Sequence, residues 1–151
     1  MTVHDSDIMG VLNPPTTASQ AGLQIASVGE TPTLIGSGLA SGDLLKLCKL
    51  PARHLPLDFI LEAESLDSGT GVTISVGVLN ADETDLVTGT EFIVDSTVAQ
   101  GGGIARAAQL AGMGLSESND ERIIAAKLTT GPGGTPADGA VRGKLFYCAN
   151  P

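Results

Sequence analysis

Glu62 and Glu64 stand two residues apart in Leu57-Asp58-Phe59-Ile60-Leu61-Glu62-Ala63-Glu64. On a β-strand, residues i and i+2 point the same way, so the two carboxyls share a face. Acid/base cleavage of a glycosidic bond needs two carboxyls flanking that bond. Sugar sites also present aromatic platforms, and this chain has no Trp, one Tyr and three Phe. The pair therefore reads first as the polar outer face of a strand. Nucleophilic hydrolysis needs a base held by a third group. The histidines are His4, near the start, and His54, in a proline-flanked connection, and no Gly-x-Ser-x-Gly turn occurs. His54 is expected at the surface or rim. Cys48 and Cys148 lie at no short ligand spacing from a histidine, so they make no zinc site. They are expected as free, buried thiols.

Three further patterns fail. Asp82, Glu83 and Asp85 could gather around Ca²⁺, but the EF-hand spacing and its closing Glu are absent. A solvated acidic turn is the expectation. The glycines of Gly36-Ser37-Gly38 and Gly42 do not make G-x-G-x-x-G, and no Lys-Ser/Thr follows Gly101-Gly102-Gly103. The triple glycine is expected to be a bend or crossing point between sheets. Neither enzyme chemistry nor a cofactor nor a metal is expected.

Charge narrows the partners. Seventeen acidic residues against eight basic ones give −9, and the basic residues are scattered. Binding a nucleic-acid backbone wants clustered Lys and Arg, so nucleic acid is not expected. Net negative charge aids solubility, or suits a basic protein partner. No apolar run approaches the ~20 residues of a membrane span, so no membrane contact is expected. The acidic start lacks an apolar signal core, and synthesis in a cytoplasm is the expectation.

The elements that position these residues are strands. Leu57, Phe59, Leu61 and Ala63 alternate with Asp58, Glu62 and Glu64, with Ile60 breaking the pattern. After the turn Ser65-Leu66-Asp67-Ser68-Gly69-Thr70-Gly71 comes Val72-Thr73-Ile74-Ser75-Val76-Gly77-Val78, β-branched at every even position. Two period-two runs around a polar turn predict an antiparallel hairpin. A second hairpin is predicted from Arg122 to Tyr147 around the Gly/Pro-rich turn 130–139. Ile124, Ala126 and Leu128 should face inward, as should Val141, Gly143, Leu145 and Tyr147. With 20 Gly and 8 Pro punctuating short apolar runs, the chain predicts an all-β, antiparallel β-sandwich. Its 151 residues suit one domain. Residues 1–22 read as an extended N-terminal arm and 23–151 as the β-sandwich domain. Pro14-Pro15 keeps the arm extended. Ile8, Met9, Val11 and Leu12 form an apolar group there, which either folds back on its own domain or docks on another chain. These four are the candidate partner interface.

The chain resembles small virion structural proteins of tailed bacteriophages. The stretches that carry the resemblance are Leu50-Pro51-Ala52-Arg53-His54-Leu55-Pro56, Asp58-Phe59-Ile60-Leu61 and Ser65-Leu66-Asp67-Ser68-Gly69. Val76-Gly77-Val78-Leu79-Asn80 with the acidic loop to Asp85, and Glu121 to Thr130 with the last strand to Tyr147, complete it. It spans about residues 23–147 and is similar to the head decoration, or cement, proteins. The resemblance implies a β-sandwich or jelly-roll-like domain, often trimeric, on the exterior of the virion. It implies a non-enzymatic role, with the arm gripping the shell and the body bridging subunits of the major capsid protein. Other virion parts, such as a head fibre base or tail component, are the alternative, ahead of a carbohydrate-binding module. No active-site residue carries over.

Overall fold

Period-two burial sorts the strands into two facing sheets. The structure, a computed structural model, describes residues 1–5 and 24–149. The first sheet runs in the order β1 (Val3–Asp5), β3 (Leu44–Leu50), β8 (Arg122–Thr130), β5 (Thr73–Val78), β6 (Ile93–Ser96). The second runs β2 (Gln24–Glu30), β9 (Val141–Ala149), β4 (His54–Ala63), β7 (Gly103–Arg106). All pairs are antiparallel except β1 with β3. The fold is the all-β sandwich that the alternation predicted. Two short helices, α1 (Val98–Gly101) and α2 (Leu110–Met113), flank β7. Among the described residues no helix is long and apolar enough to cross a membrane.

The core lies between the sheets. Leu45, Leu47, Ile74, Val76, Ile124, Ala126 and Leu128 enter it from the first sheet, and Phe59, Leu61, Val141, Leu145 and Tyr147 from the second. The inward sets expected for β8 and β9 are the buried ones, while Arg142, Lys144 and Phe146 alternate to the outside, half-buried. Leu57 departs from its expected face and is 42% exposed. Pro56 pairs with Tyr147 and Asp58 with Phe146, which leaves Leu57 as the extra residue of a bulge. A bulge turns the following residue off the regular pleat, so Leu57 leaves the core side.

Neither predicted hairpin forms. β4 belongs to the second sheet and β5 to the first; β8 belongs to the first and β9 to the second. Both connections are arches that cross the sandwich. The reason is that alternation specifies an inward face, and strands in either sheet of a sandwich satisfy it equally. Between β2 and β3, Leu34 makes a single antiparallel bridge to Gly139. The triple glycine does lie where the chain passes from β6 in the first sheet to β7 in the second.

The first sheet has cover on its outer side. Leu79 and the half-buried Leu86, from the β5–β6 connection, pack with Leu44, Ala125 and Ile123 in a small second cluster. Lys46 Nζ donates to Glu83 Oε2 at 2.7 Å and Lys127 Nζ to Asp85 Oδ1 at 2.7 Å, pinning the same connection. At its edge, the buried Asp43 accepts the Thr2 N–H at 2.7 Å and the Ala40 N–H at 3.0 Å, which ties β1 to the start of β3.

Candidate functional site

Among the described residues no element covers the outward face of the second sheet, whose rows are set by register. Glu30, Arg142, Glu62 and Ile104 lie side by side across β2, β9, β4 and β7. Val28, Lys144, Ile60 and Arg106 make the next row. Cross-strand neighbours on one face sit ~5 Å apart, so opposite charges meet. Arg142 Nε donates to Glu30 Oε2 at 2.9 Å, and its Nη1 donates to Glu62 Oε2 at 3.1 Å. Lys144 Nζ donates to the other oxygen of Glu62. Arg106 Nε donates to Asp58 Oδ2 at 2.7 Å.

These contacts decide what the carboxylate pair can do. The Lys144 hydrogen bond, more than the Arg142 bonds, holds the Glu62 carboxyl below its ordinary value. A general acid at neutral pH needs the opposite shift. Glu64 does lie on the same rim, where its Oε2 accepts the Ala140 N–H at 2.8 Å. Glu30, Glu62, Glu64 and Arg142, with Ala63 and Ala140, line an open cleft of about 170 Å³. The arrangement is a charged surface whose carboxylates are taken up in hydrogen bonds.

The other sequence candidates are dispersed. His54 was expected at the rim but is only 5% exposed, a correction that follows from its position as the first residue of β4. Its Nδ1 bonds the Ala52 carbonyl at 2.8 Å, and its ring meets Tyr147 edge-on at 5.3 Å between centroids. Cys48 is buried and free, and burial pushes its thiol far up. Cys148 is also free but half-buried, contrary to expectation, because it alternates with the inward Tyr147. Glu83 and Asp85 are engaged by lysines, and among the described residues no group of metal-ligating side chains forms. Ile8, Met9, Val11 and Leu12 lie outside the described residues.

Sequence reading missed Asp67. It is fully buried between the two arches. Its Oδ1 accepts N–H groups from Gly69 at 3.0 Å and Gly134 at 3.1 Å, and its Oδ2 accepts from Gly71 at 3.2 Å and Gly133 at 3.0 Å. The Gly69 and Gly133 bonds lead in holding its carboxyl below the ordinary value. A Cβ at Gly71 would stand 2.6 Å from the Gly133 nitrogen, so glycine is required for this approach. The local signal was present: an Asp two residues before a glycine in a Ser/Gly turn closes on its own backbone. The distant half, from 133 and 134, had none.

No protein-family model matches the chain, and no curated protein matches it. Solved structures do. A chain in the capsid of Ralstonia phage GP4 is 25% identical, with a TM-score of 0.85, over 99% of this chain and 99% of that one. A chain in the capsid asymmetric unit of cyanophage Pam1 is 25% identical, with a TM-score of 0.67, over 93% and 94%. One in the acidic stable capsid of Helicobacter pylori bacteriophage KHP30 is 11% identical, with a TM-score of 0.52 over 85% and 89%, and shares the fold alone. The fold is that of phage virion structural proteins.

Proposed function

We propose that the chain is a non-enzymatic decoration protein of a phage head, bound to the outside of the shell and stabilising the lattice of the major capsid protein. The observation that carries this reading is the end-to-end likeness to a chain of a phage capsid, at 99% of both lengths. A partner matched over its whole length is as small as this one, which suits an attachment more than a shell wall. The described helices, four residues each at most, also favour an added β-module over a subunit built on a long helical spine. The strand order supports a jelly-roll reading. Counted from β2, the sheets interleave as 2-9-4-7 and 3-8-5-6, the pattern of two Greek keys wrapped together.

A ligand that binds the assembled lattice better than free subunits stabilises the assembly. A homotrimer would let weak contacts act together. In this reading residues 1–22 are an arm and 23–151 the body, and Ile8, Met9, Val11 and Leu12 contribute to shell contact. Four such side chains are worth ~1.5–3 kcal/mol each when fully buried. Ordering a free arm costs ~1–2 kcal/mol per residue, so a partly preformed arm grips best.

The test is a reconstruction of purified particles, with a matched set lacking this chain. Density for the sandwich outside the head, and heads that rupture at lower temperature without it, are expected. Density in the tail or within the shell wall would overturn the reading. For the arm, changing Ile8, Met9, Val11 and Leu12 to Ser is cleaner than deletion, because Val3–Asp5 pairs with β3 and deletion would disturb that sheet.

A further inference from the structure

We infer that the outer face of the second sheet is the docking face, and that it receives a basic, partly apolar patch of the capsid shell, with one lysine or arginine side chain entering the cleft beside Glu64. The inference rests on the decoration reading and names its contact surface.

Four observations carry it. The first sheet's outer side has its own small apolar cluster, whereas no described element covers the second. Apolar side chains stand open there: Ile104 is 70% exposed and Val28 41%, beside the half-buried Ile60 and Phe146. The two exposed side chains stand on the edge strands β7 and β2 with the paired charges between them, so the face offers a protein partner both apolar area and fixed charge. Next, the charges are already paired within the sheet. Glu30, Asp58 and Glu62 are each bonded to Arg142, Arg106 or Lys144. Covering such pairs desolvates them but strands no unpaired ion, which is the costlier outcome. Last, four carboxylates here face three cations, so the surplus is one negative charge, and Glu64 sits with it at the cleft. An incoming cation would neutralise it. The overall charge of −9 draws a basic surface at long range.

The experiment is co-sedimentation with heads stripped of this chain, using the full chain and three variants. Ile104→Asp alters an exposed edge strand, and Glu64→Lys reverses the surplus charge. Val94→Asp, an exposed position on β6 of the first sheet, is the control. Ile104→Asp and Glu64→Lys are expected to weaken binding by roughly tenfold or more, the size of a truncated interface anchor. Val94→Asp is expected to bind as the unaltered chain does. Equal binding by all four would overturn the inference and leave the decoration reading standing. Failure of the unaltered chain to bind would overturn the decoration reading itself. Unchanged head binding with altered mass in light scattering would assign the face to a second copy and also overturn the inference.

Discussion

Asp67 and Glu62 are both carboxylates kept charged, and they belong to opposite kinds of region. Asp67 is sealed between the arches and held by four peptide N–H groups of glycines. Glu62 lies half-buried on an open sheet face and is held by the flexible ends of Arg142 and Lys144. Peptide donors fixed in close-packed turns lose no side-chain entropy on bonding, and water does not compete for them. Long cationic side chains lose entropy, and salt screens them. The arch end therefore serves the fold, joining two sheets whose strands never pair with one another. The ladder of charges is paired within the sheet, so covering it would strand none of the paired ions.

The largest effect should come from breaking the arch end. Asp67→Ala strands four N–H donors, and Gly71→Ala forces a Cβ against the Gly133 nitrogen. Each is expected to lower Tm by roughly 5–12 °C in a thermal melt, in line with unsatisfied buried donors. A loss under about 2 °C would show that the arches are held elsewhere.

The next effect is a pH dependence, which sharpens the same contrast. The folded Asp67 carboxyl titrates below its ordinary value of 3.8. Its contribution is thus complete above the unfolded value and is lost as pH falls through the folded one. Urea melts of the unaltered chain and Asp67→Asn should differ by a constant amount from pH 7 to 5. The difference should shrink below about pH 4. A difference that grew with acidity would contradict the assignment.

The smallest effect belongs to the ladder. Glu62→Gln is expected to cost about 0.5–1 kcal/mol at low salt and less in 1 M salt, as for other solvent-accessible ion pairs. The Asp67 effect should survive that salt. Similar salt sensitivity at both sites would erase the distinction between them.

Much of the body was legible along the chain. The inward faces of β8 and β9 followed from period two, because a side chain's direction alternates with no help from neighbours. Leu57 was misread because a bulge is a property of the pair, created by Pro56 and Tyr147 coming into register. His54 was misread because burial depends on what lies above the strand, here Tyr147. The Glu62 environment was half legible: the carboxylate face could be read, while its partners on β9, 80 residues away, could not.

By itself, the order of residues determined that the chain makes strands, which side of β8 and β9 turns to the core, and that Glu62 and Glu64 stand on an outward face. These follow from local geometry, where each residue answers only to its neighbours. The tertiary structure alone decided which sheet each strand joins, that both glycine-rich turns are arches, and that Asp67 from one closes on Gly133 and Gly134 of the other. That choice is made by packing two faces together, and a pattern of period two is the same on both sides of the sandwich.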